Sequence, residues 1–228
     1  MILHLRFTAA TLFAVAALVG CSASRQTPQT SPQPSAVKIH GDSAAIANAK
    51  GDKDRYAYTE ADVQFLTGMI SHHSQAIVMS KMAPTHGASS SIQTLAARII
   101  NAQNDEIALM SQWLRDHGKP VPEPSAKGMK MNMGGEEHMM LMPGMLTEEQ
   151  MKQLEAAKGP EFDKLFLTLM IQHHTGAVSM VKDLFNTYGA GQDETVFKLA
   201  SDVNVDQTTE IARMQRMLFT LMVEGKPQ

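Results

Sequence analysis

FLTGMISHHSQAIVM, at residues 65–79, returns as FLTLMIQHHTGAVSM at residues 166–180. The two segments are 101 residues apart, and both keep a histidine pair with one methionine before it and one after it. The matching positions are Met69/Met170, His72/His173, His73/His174 and Met79/Met180. An internal repeat largely determines the architecture, because each copy has the same apolar face to bury.

The repeat extends into a second helix in each half, at an offset of 104 residues. The matching residues there are Gln103/Gln207, Glu106/Glu210, Ile107/Ile211, Ala108/Ala212 and Met110/Met214. Two helical hairpins that each carry an amphipathic stripe bury those stripes against each other. The predicted fold is therefore all-α, a four-helix bundle built from two repeated helical hairpins.

Local signals place the helices. Four long helices are predicted at 60–83, 90–117, 160–189 and 194–223, with a short extra helix at 147–158. Thr59 with Asp62 and Thr147 with Gln150 have the spacing of capping boxes, and Pro84 stops the first helix. The predicted domain is 59–225, divided into repeat one at 59–118, a methionine-rich loop at 119–146 and repeat two at 147–225.

The amino terminus indicates where the protein works. Residues 1–20 have a charged start and an apolar run that is too short to span a membrane, which is typical of a signal peptide. The run ends in Leu18-Val19-Gly20-Cys21, which resembles a lipobox in which Cys21 becomes the lipidated first residue. The alternative is an ordinary signal peptide followed by an incidental cysteine.

Cys21 is the only cysteine in the chain, so it has no partner for an internal disulfide, and lipidation accounts for it. Ser22 after the cysteine predicts sorting to the outer membrane if the source is Gram-negative. Residues 21–58 are rich in Ser, Gln, Thr and Pro, and we expect a disordered tether. The net charge of -3 gives no reason to expect a nucleic-acid partner.

Helical geometry orders the side chains of the repeated segment. His72 and Met79 are seven residues apart, nearly two turns, and so point the same way. His72 and His73 stand about 100° apart around the axis, so the two members of a pair are expected to face different neighbours. The plain alternative is that the methionines fill the core and that Glu106 and Glu210 are solvated.

Imidazole with thioether is the ligand set for copper, especially Cu(I), or for silver. Zinc sites use Cys, His and carboxylate, and the only cysteine of the chain is assigned to the lipid anchor. A di-iron bundle needs Glu-x-x-His pairs, a spacing that does not occur here. Glu106 and Glu210 are expected to orient the imidazoles as hydrogen-bond acceptors. The predicted helical ligands are His72, His73, His173, His174, Met69, Met79, Met110, Met170, Met180 and Met214.

The connection between the repeats contains KGMKMNMGGEEHMMLMPGML at residues 127–146. We expect a mobile loop whose exposed thioethers capture the metal; a partner-binding surface and a loop folded over the bundle are the alternatives. Its predicted ligands are His138, Met129, Met131, Met133, Met139, Met140, Met142 and Met145. His40, His86 and His117 are predicted to lie on the surface.

The F-L-x-x-M-I-x-H-H-x-x-A-x-x-M segments resemble the bacterial envelope family called domain of unknown function 305. The helix around Glu106 and Trp113 and the Met142-Pro143-Gly144-Met145 segment resemble it too. The resemblance implies a ferritin-like helical bundle and, as in some members, copper binding and copper tolerance. It also favours the four repeated histidines and their neighbouring methionines as the site. Met217 stands where repeat one has Trp113, so unequal binding by the halves is expected.

The sequence thus predicts an envelope lipoprotein that binds copper, as Cu(I) or else Cu(II), for buffering, tolerance or transfer to a copper-accepting envelope protein. Its only membrane contact would be the lipid anchor. Binding should weaken as pH falls through the histidine range, because imidazole coordinates only when neutral. A structural or partner-binding bundle and a cuprous oxidase are the alternatives. No nucleophile elbow, phosphate loop or catalytic triad is evident, which favours a binding protein over an enzyme.

Overall fold

The computed structural model describes residues 57–133 and 136–224, without the side chains of 131–137 and 224. The predicted signal peptide, Cys21 and nearly all of the tether therefore lie outside the described residues. Every described residue belongs to the unit formed by 43–228. Among the helices of these ranges, none is both long and apolar enough to cross a membrane.

Most of the described residues are helical. A 3-10 turn, Ala83–Thr85, follows the first helix, and a two-stranded sheet lies between the second and third helices. In chain order the elements are α1 Glu60–Met82, α2 Ser90–Asp116, β1 Met129–Met133, β2 Glu136–Met140, α3 Glu148–Ala156, α4 Gly159–Asn186 and α5 Glu194–Glu224. The long helices end close to their predicted boundaries.

The side chains predicted to cap the starts of α1 and α3 form the expected hydrogen bonds. At α1 the Thr59 backbone N–H donates to Asp62 Oδ2 at 2.6 Å, and Thr59 accepts from the Asp62 backbone in return. At α3 the Gln150 backbone N–H donates to Thr147 Oγ1 at 3.2 Å, and the reciprocal bond is present. Both capping boxes satisfy backbone donors that a helix start otherwise leaves without partners.

The helices form two hairpins that meet through the helices that bear the histidines. α1 packs along α2, α4 packs along α5, and α1 contacts α4. The buried apolar residues fall into two groups, one around Met69 and Met110 and the other around Met170 and Met214. The repeated hairpins therefore contribute equivalent residues to the two groups. Closure of the four long helices into a ferritin-like bundle stays a prediction.

The connection between the hairpins differs from the mobile loop that was expected. β1 and β2 pair antiparallel, with Met129 opposite Met140 and Met131 opposite His138, and β1 contacts α1. Methionine favours helices, but this stretch lacks a helical pattern of apolar residues, and a hairpin satisfies its backbone groups locally. The expectation of an almost entirely helical chain was wrong at this point.

Candidate metal centre

His72 on α1 and His173 on α4 face each other where the two hairpins meet. Their ring centroids are 3.8 Å apart with an interplanar angle of 38°, and neither side chain is exposed to solvent. The two residues are repeat equivalents, so they lie together at the pseudo-twofold centre of the structure. The first member of each pair thus turns toward the other repeat.

His73 and His174 turn instead toward the second helix of their own hairpin. His174 Nε2 lies 2.7 Å from Glu210 Oε2 in a hydrogen bond. His73 Nε2 also lies 2.7 Å from Glu106 Oε2, although the angles of that contact fall outside those of a hydrogen bond. Each pair therefore splits its directions, as helical geometry indicates, and each glutamate lies beside the histidine it was expected to orient.

The histidine pairs keep ring nitrogens that no described group contacts by a hydrogen bond. His72 Nε2 lies 3.0 Å from the Pro143 carbonyl oxygen, which only accepts, so this nitrogen carries the proton and Nδ1 keeps a lone pair. Across the described residues, Nδ1 of all four histidines is buried without a hydrogen-bond partner, and so is Nε2 of His173. Buried lone pairs of this kind fit a metal ion that accepts imidazole ligands.

Burial keeps the facing pair neutral. Burial and, to a smaller extent, the nearby His73 lower the pKa of His72 from 6.5 to about 3. The hydrogen bond to Pro143 offsets part of this decrease. Burial also holds the pKa of His173 well below its usual value, and His72 adds to this effect. Both imidazoles therefore stay in the neutral form, with one ring proton each, well below neutral pH. For this pair, proton competition begins at a lower pH than the ordinary histidine range that we expected.

A group of carboxylates lies beside the two His–Glu contacts. Asp206 on α5 has a raised pKa because it is desolvated and because Glu106, Asp202 and Glu210 are close to it. Glu106 and Glu210 belong to different hairpins, so this group spans both repeats. The accumulated negative charge favours the approach of cations on this side of the histidines.

The six predicted methionines of the long helices are all buried, and they divide by repeat symmetry. We define the first methionine cluster as Met69, Met110 and Met180, together with Met142 and Met145. We define the second methionine cluster as Met79, Met170 and Met214. Each helical member of the first cluster has its repeat equivalent in the second. Met69 and Met79 lie on α1 with His72, and Met170 and Met180 lie on α4 with His173, so both helices of the histidine pair contribute to both clusters.

The methionines of the connection do not form one exposed surface. Met142 and Met145 are buried, and Met129 is partly buried against the same apolar group. His138, Met139 and Met140 are exposed. The side chains of Met131 and Met133 lie outside the described residues. The expectation that all seven methionines are available at the surface was therefore wrong for Met142 and Met145.

Residues 142–146, which we call the clasp, fit between α1 and α4 because glycines leave room for them. A Cβ atom at Gly68 would lie 2.9 Å from Met142 Sδ and 3.4 Å from Met180 Cε. A Cβ atom at Gly176 would overlap the Pro143 carbonyl oxygen. Gly144 has a φ of +77° and lies against the α4 backbone, where any side chain would collide. This placement brings the Pro143 carbonyl to His72.

Sequence reasoning missed three buried glutamines. Gln75 is 1% exposed and forms hydrogen bonds with the connection, including one from the Leu146 backbone N–H to its Oε1 at 2.6 Å. Gln103 and Gln207 are repeat equivalents, and both are buried with side-chain atoms that lack hydrogen-bond partners within the described part of the chain. The signal available in the sequence was a glutamine repeated three residues before each glutamate.

Two other histidines serve the structure. His86, expected on the surface, is buried, and its Nε2 hydrogen-bonds the Glu155 carbonyl oxygen at 2.9 Å. His117 is half-buried and stacks on Trp113 with ring centroids 3.9 Å apart. His40 lies outside the described residues. Neither of the two placed histidines contacts the repeated pairs.

The described residues contain no cluster of three or more His, Cys, Asp or Glu side chains spaced to hold a metal ion. A metal site at the histidine pairs would therefore need thioether ligands, which the buried methionines offer. A groove of about 360 Å³ between α4 and α5, lined by Phe185 and Val205 among others, includes none of the predicted ligands. The predicted metal ligands of the interior therefore lie apart from this groove.

Solved structures of similar proteins align with most of this chain. A DUF305 protein of Streptomyces coelicolor, described as a candidate secreted protein, is 30% identical, with a TM-score of 0.58 over 71% of this chain and 93% of that one. A DUF305 fragment from Deinococcus radiodurans is 27% identical, with a TM-score of 0.58 over 71% of this chain and 97% of the fragment.

A third similar structure is that of CopM with Cu(I) bound. It is 28% identical, with a TM-score of 0.52 over 71% of this chain and 96% of CopM. CopM has also been solved with Cu(II), with silver and in the apo form. Among curated proteins no match was found. The family model for the domain of unknown function DUF305 matches residues 62–218. This chain, with its repeated histidine helices and its buried methionines, belongs to the DUF305 family.

Proposed function

We propose that this chain is an envelope protein that binds copper, with Cu(I) favoured over Cu(II), and that it buffers the ion or transfers it. The observation that supports this most is the buried His72–His173 pair. Its rings are neutral, and their Nδ1 atoms are unpartnered among the described residues. The two helices that carry the pair also contribute buried methionines to both methionine clusters. Soft thioethers with imidazole favour Cu(I) over harder ions.

Each group has a distinct part in this proposal. His72 and His173 supply nitrogen ligands, and the two methionine clusters supply sulfur ligands. His73 and His174 supply further nitrogen through Nδ1, while Glu106 and Glu210 hold their rings and increase their basicity. The copper-bound and silver-bound structures of CopM, a protein 28–29% identical to this chain, support copper as the ion.

The exposed residues of β2 have the other role in the proposal. His138, Met139 and Met140 are accessible to solvent, whereas the His72–His173 pair is not. They would collect the ion, or pass it to a copper-accepting envelope protein, with thioethers that do not form disulfides. Met129, Met131 and Met133, on the paired strand β1, remain candidate sulfur ligands in this proposal.

Location and architecture complete the proposal. We place the protein outside the cytoplasm, held by a lipid on Cys21 and facing the periplasm, at the outer membrane if the source is Gram-negative. The signal-peptide pattern and the Streptomyces coelicolor relative described as a candidate secreted protein support this location. A ferritin-like four-helix bundle is the corresponding proposal for the fold, supported by two hairpins that meet through α1 and α4.

A second candidate is a structural or partner-binding helical protein. Two observations favour it: no cluster of three His, Cys, Asp or Glu ligands occurs among the described residues, and the helical methionines are packed as core. A cuprous oxidase is a third candidate, and it has no further structural support.

Competition for Cu(I) with a chromophoric chelator separates these candidates. The full-length protein is used with Cys21→Ser in every variant, so that the one thiol does not contribute. Changing His72, His73, His173 and His174 to alanine is expected to lower the Cu(I) affinity at least 100-fold, which is about 2.7 kcal/mol. His117→Ala is the matched control. Oxygen consumption with Cu(I) tests for oxidase activity.

The seven methionines of the connection form a separate arm, in which all are changed to leucine. A loss smaller than that of the histidine variant is expected, because among the described side chains of the connection only two of these methionines, Met142 and Met145, are fully buried. Wild-type binding of about micromolar strength or weaker, unchanged in both variants, would contradict a copper function.

A further inference from the structure

The repeated helices differ most where they contact the clasp. Three of their non-conservative differences are Gly68 against Leu169, Ser71 against Gln172 and Gln75 against Gly176. Gly68 faces Met142, Gln172 Nε2 donates to the Gly144 carbonyl at 3.3 Å, Gln75 bonds Leu146, and Gly176 admits Pro143. The duplicated pattern has therefore changed at the positions that receive this one segment.

Gln75 forms hydrogen bonds with the methionine-rich connection before and after the β-hairpin. Its Nε2 donates to the Ala126 carbonyl at 2.8 Å and to the Leu146 carbonyl at 3.0 Å, while its Oε1 accepts from the Leu146 N–H at 2.6 Å. Ala126 precedes the β-hairpin and Leu146 follows it. A single buried side chain thus bonds the connection on either side of the two strands.

Gly176, the repeat equivalent of Gln75, supports the clasp from α4. The absence of a side chain lets the Pro143 carbonyl pass the helix and reach His72 Nε2 at 3.0 Å. The same segment brings Met142 and Met145 into the first methionine cluster. The clasp therefore bonds one member of the facing histidine pair and adds two thioethers to the first methionine cluster.

We propose that the clasp covers the path by which a soft monovalent cation, Cu(I) or Ag(I), reaches the His72–His173 pair, and that Gln75 is the positioning residue that keeps it closed. The cation part of this inference rests on the proposed function. The covering of His72 stands on the geometry alone. Opening requires the Gln75 hydrogen bonds to break, so the strength of these bonds sets the rate at which the ion leaves.

The test compares Gln75→Leu with Gln93→Leu in full-length protein loaded with Cu(I), both in a Cys21→Ser background. Gln93 donates one side-chain hydrogen bond to the Ala88 carbonyl and lies away from the clasp, so its variant is the matched control. Release of Cu(I) to excess bathocuproine is followed by stopped flow. Gln75→Leu is expected to speed release roughly tenfold or more, because three hydrogen bonds to the connection are lost. Gln93→Leu should stay within about twofold of wild type.

Equal release rates for Gln75→Leu and wild type would overturn the proposal. If Gln75→Leu does not fold, the wild-type protein decides by itself. Hydrogen exchange of the Leu146 amide, measured where each opening leads to exchange, gives the rate of clasp opening. Release of Cu(I) that is faster than this opening would contradict the clasp as the path, and release limited by it supports the clasp.

A metal-free readout separates this inference from the proposed function. Diethyl pyrocarbonate reacts with accessible neutral imidazole, and mass spectrometry locates the modified residue. His72 should be protected in the wild-type apo protein and modified at least about tenfold faster in Gln75→Leu, because the lost bonds favour opening. Equal rates would show that the clasp does not cover His72. If wild type binds no Cu(I) while His72 behaves as expected, the copper function fails and the covering stands.

Discussion

The two methionine clusters contain repeat-equivalent sets of three helical methionines, but only the first gains methionines from the clasp. Met142 and Met145 give the first cluster five methionines, whereas the second has three and packs against Leu146 and Leu154. The histidine and glutamate contacts are the same length in both halves, at 2.7 Å. Duplication thus provides matching ligands, and the single inserted connection makes the halves unequal.

The effect of pH should be shared by both halves. The folded-state pKa values of His72 and His173 lie below the unfolded value of 6.5, so below that pH the unfolded chain takes up protons that the folded chain does not. Stability is therefore full above pH 6.5 and falls as pH decreases toward about 3 for His72. Each histidine costs up to about 1.4 kcal/mol per pH unit, and the slope is smaller near pH 6.5, so the pair costs about 3 kcal/mol between pH 6.5 and 5.

Urea unfolding of the apo protein at pH 7, 6 and 5 checks this expectation. A variant with both His72→Leu and His173→Leu is the control, and its stability should vary less with pH. The single variants His72→Leu and His173→Leu should each lose part of this pH dependence, and a loss in only one of them would show that the two histidines are not equivalent. Equal stability of the wild-type protein at pH 7 and 5 would show that the pair is not buried as described.

Replacing each of the two glycines that contact the clasp with alanine should destabilise the protein by different amounts. Gly176→Ala places a Cβ atom on the Pro143 carbonyl, a backbone group that has no room to move, and should destabilise the protein by about 3 kcal/mol. Gly68→Ala meets the flexible Met142 and Met180 side chains and should cost about 1 kcal/mol. Thermal or urea unfolding measures both. Similar costs would mean that the clasp does not lie against the α4 backbone.

Removing each glutamate tests whether the halves act alike where their His–Glu contacts have the same length. Glu106→Gln and Glu210→Gln keep the size of the side chain but remove the negative charge beside His73 and His174. Each is expected to lower the Cu(I) affinity by about 10- to 100-fold, as loss of a group that orients a ligand does. Chelator competition measures the affinity, with Glu155→Gln as a surface control. An effect in only one half would break the symmetry.

The smallest effect should come from the thioethers that only the first cluster has. Met142→Leu with Met145→Leu conserves volume and is expected to weaken Cu(I) binding about tenfold, or about 1.4 kcal/mol. Met139→Leu with Met140→Leu is the matched control, because these side chains are exposed. A larger loss in the control would place the tighter sulfur ligands on the hairpin rather than in the interior.

Helical features were predictable because they depend on local spacing. The capping boxes at Thr59 and Thr147, the long helices and the divergent directions of His72 and His73 all follow from residue identity and 3.6-residue geometry. The burial of Met142 was not predictable, since it depends on the glycines at 68 and 176, which are distant in sequence. The hydrogen bonds of Gln75 to Ala126 and Leu146 join segments about fifty and seventy residues away, and no local pattern encodes such pairing.

The most direct test of the central claim is diffraction at the copper absorption edge from crystals of the Cu(I)-loaded full-length protein. An anomalous peak is expected at bonding distance from an imidazole nitrogen of His72 or His173, with a thioether of the first methionine cluster as a further ligand. Copper peaks confined to the surface of the β-hairpin, with the His72–His173 rings still 3.8 Å apart and without metal, would contradict it.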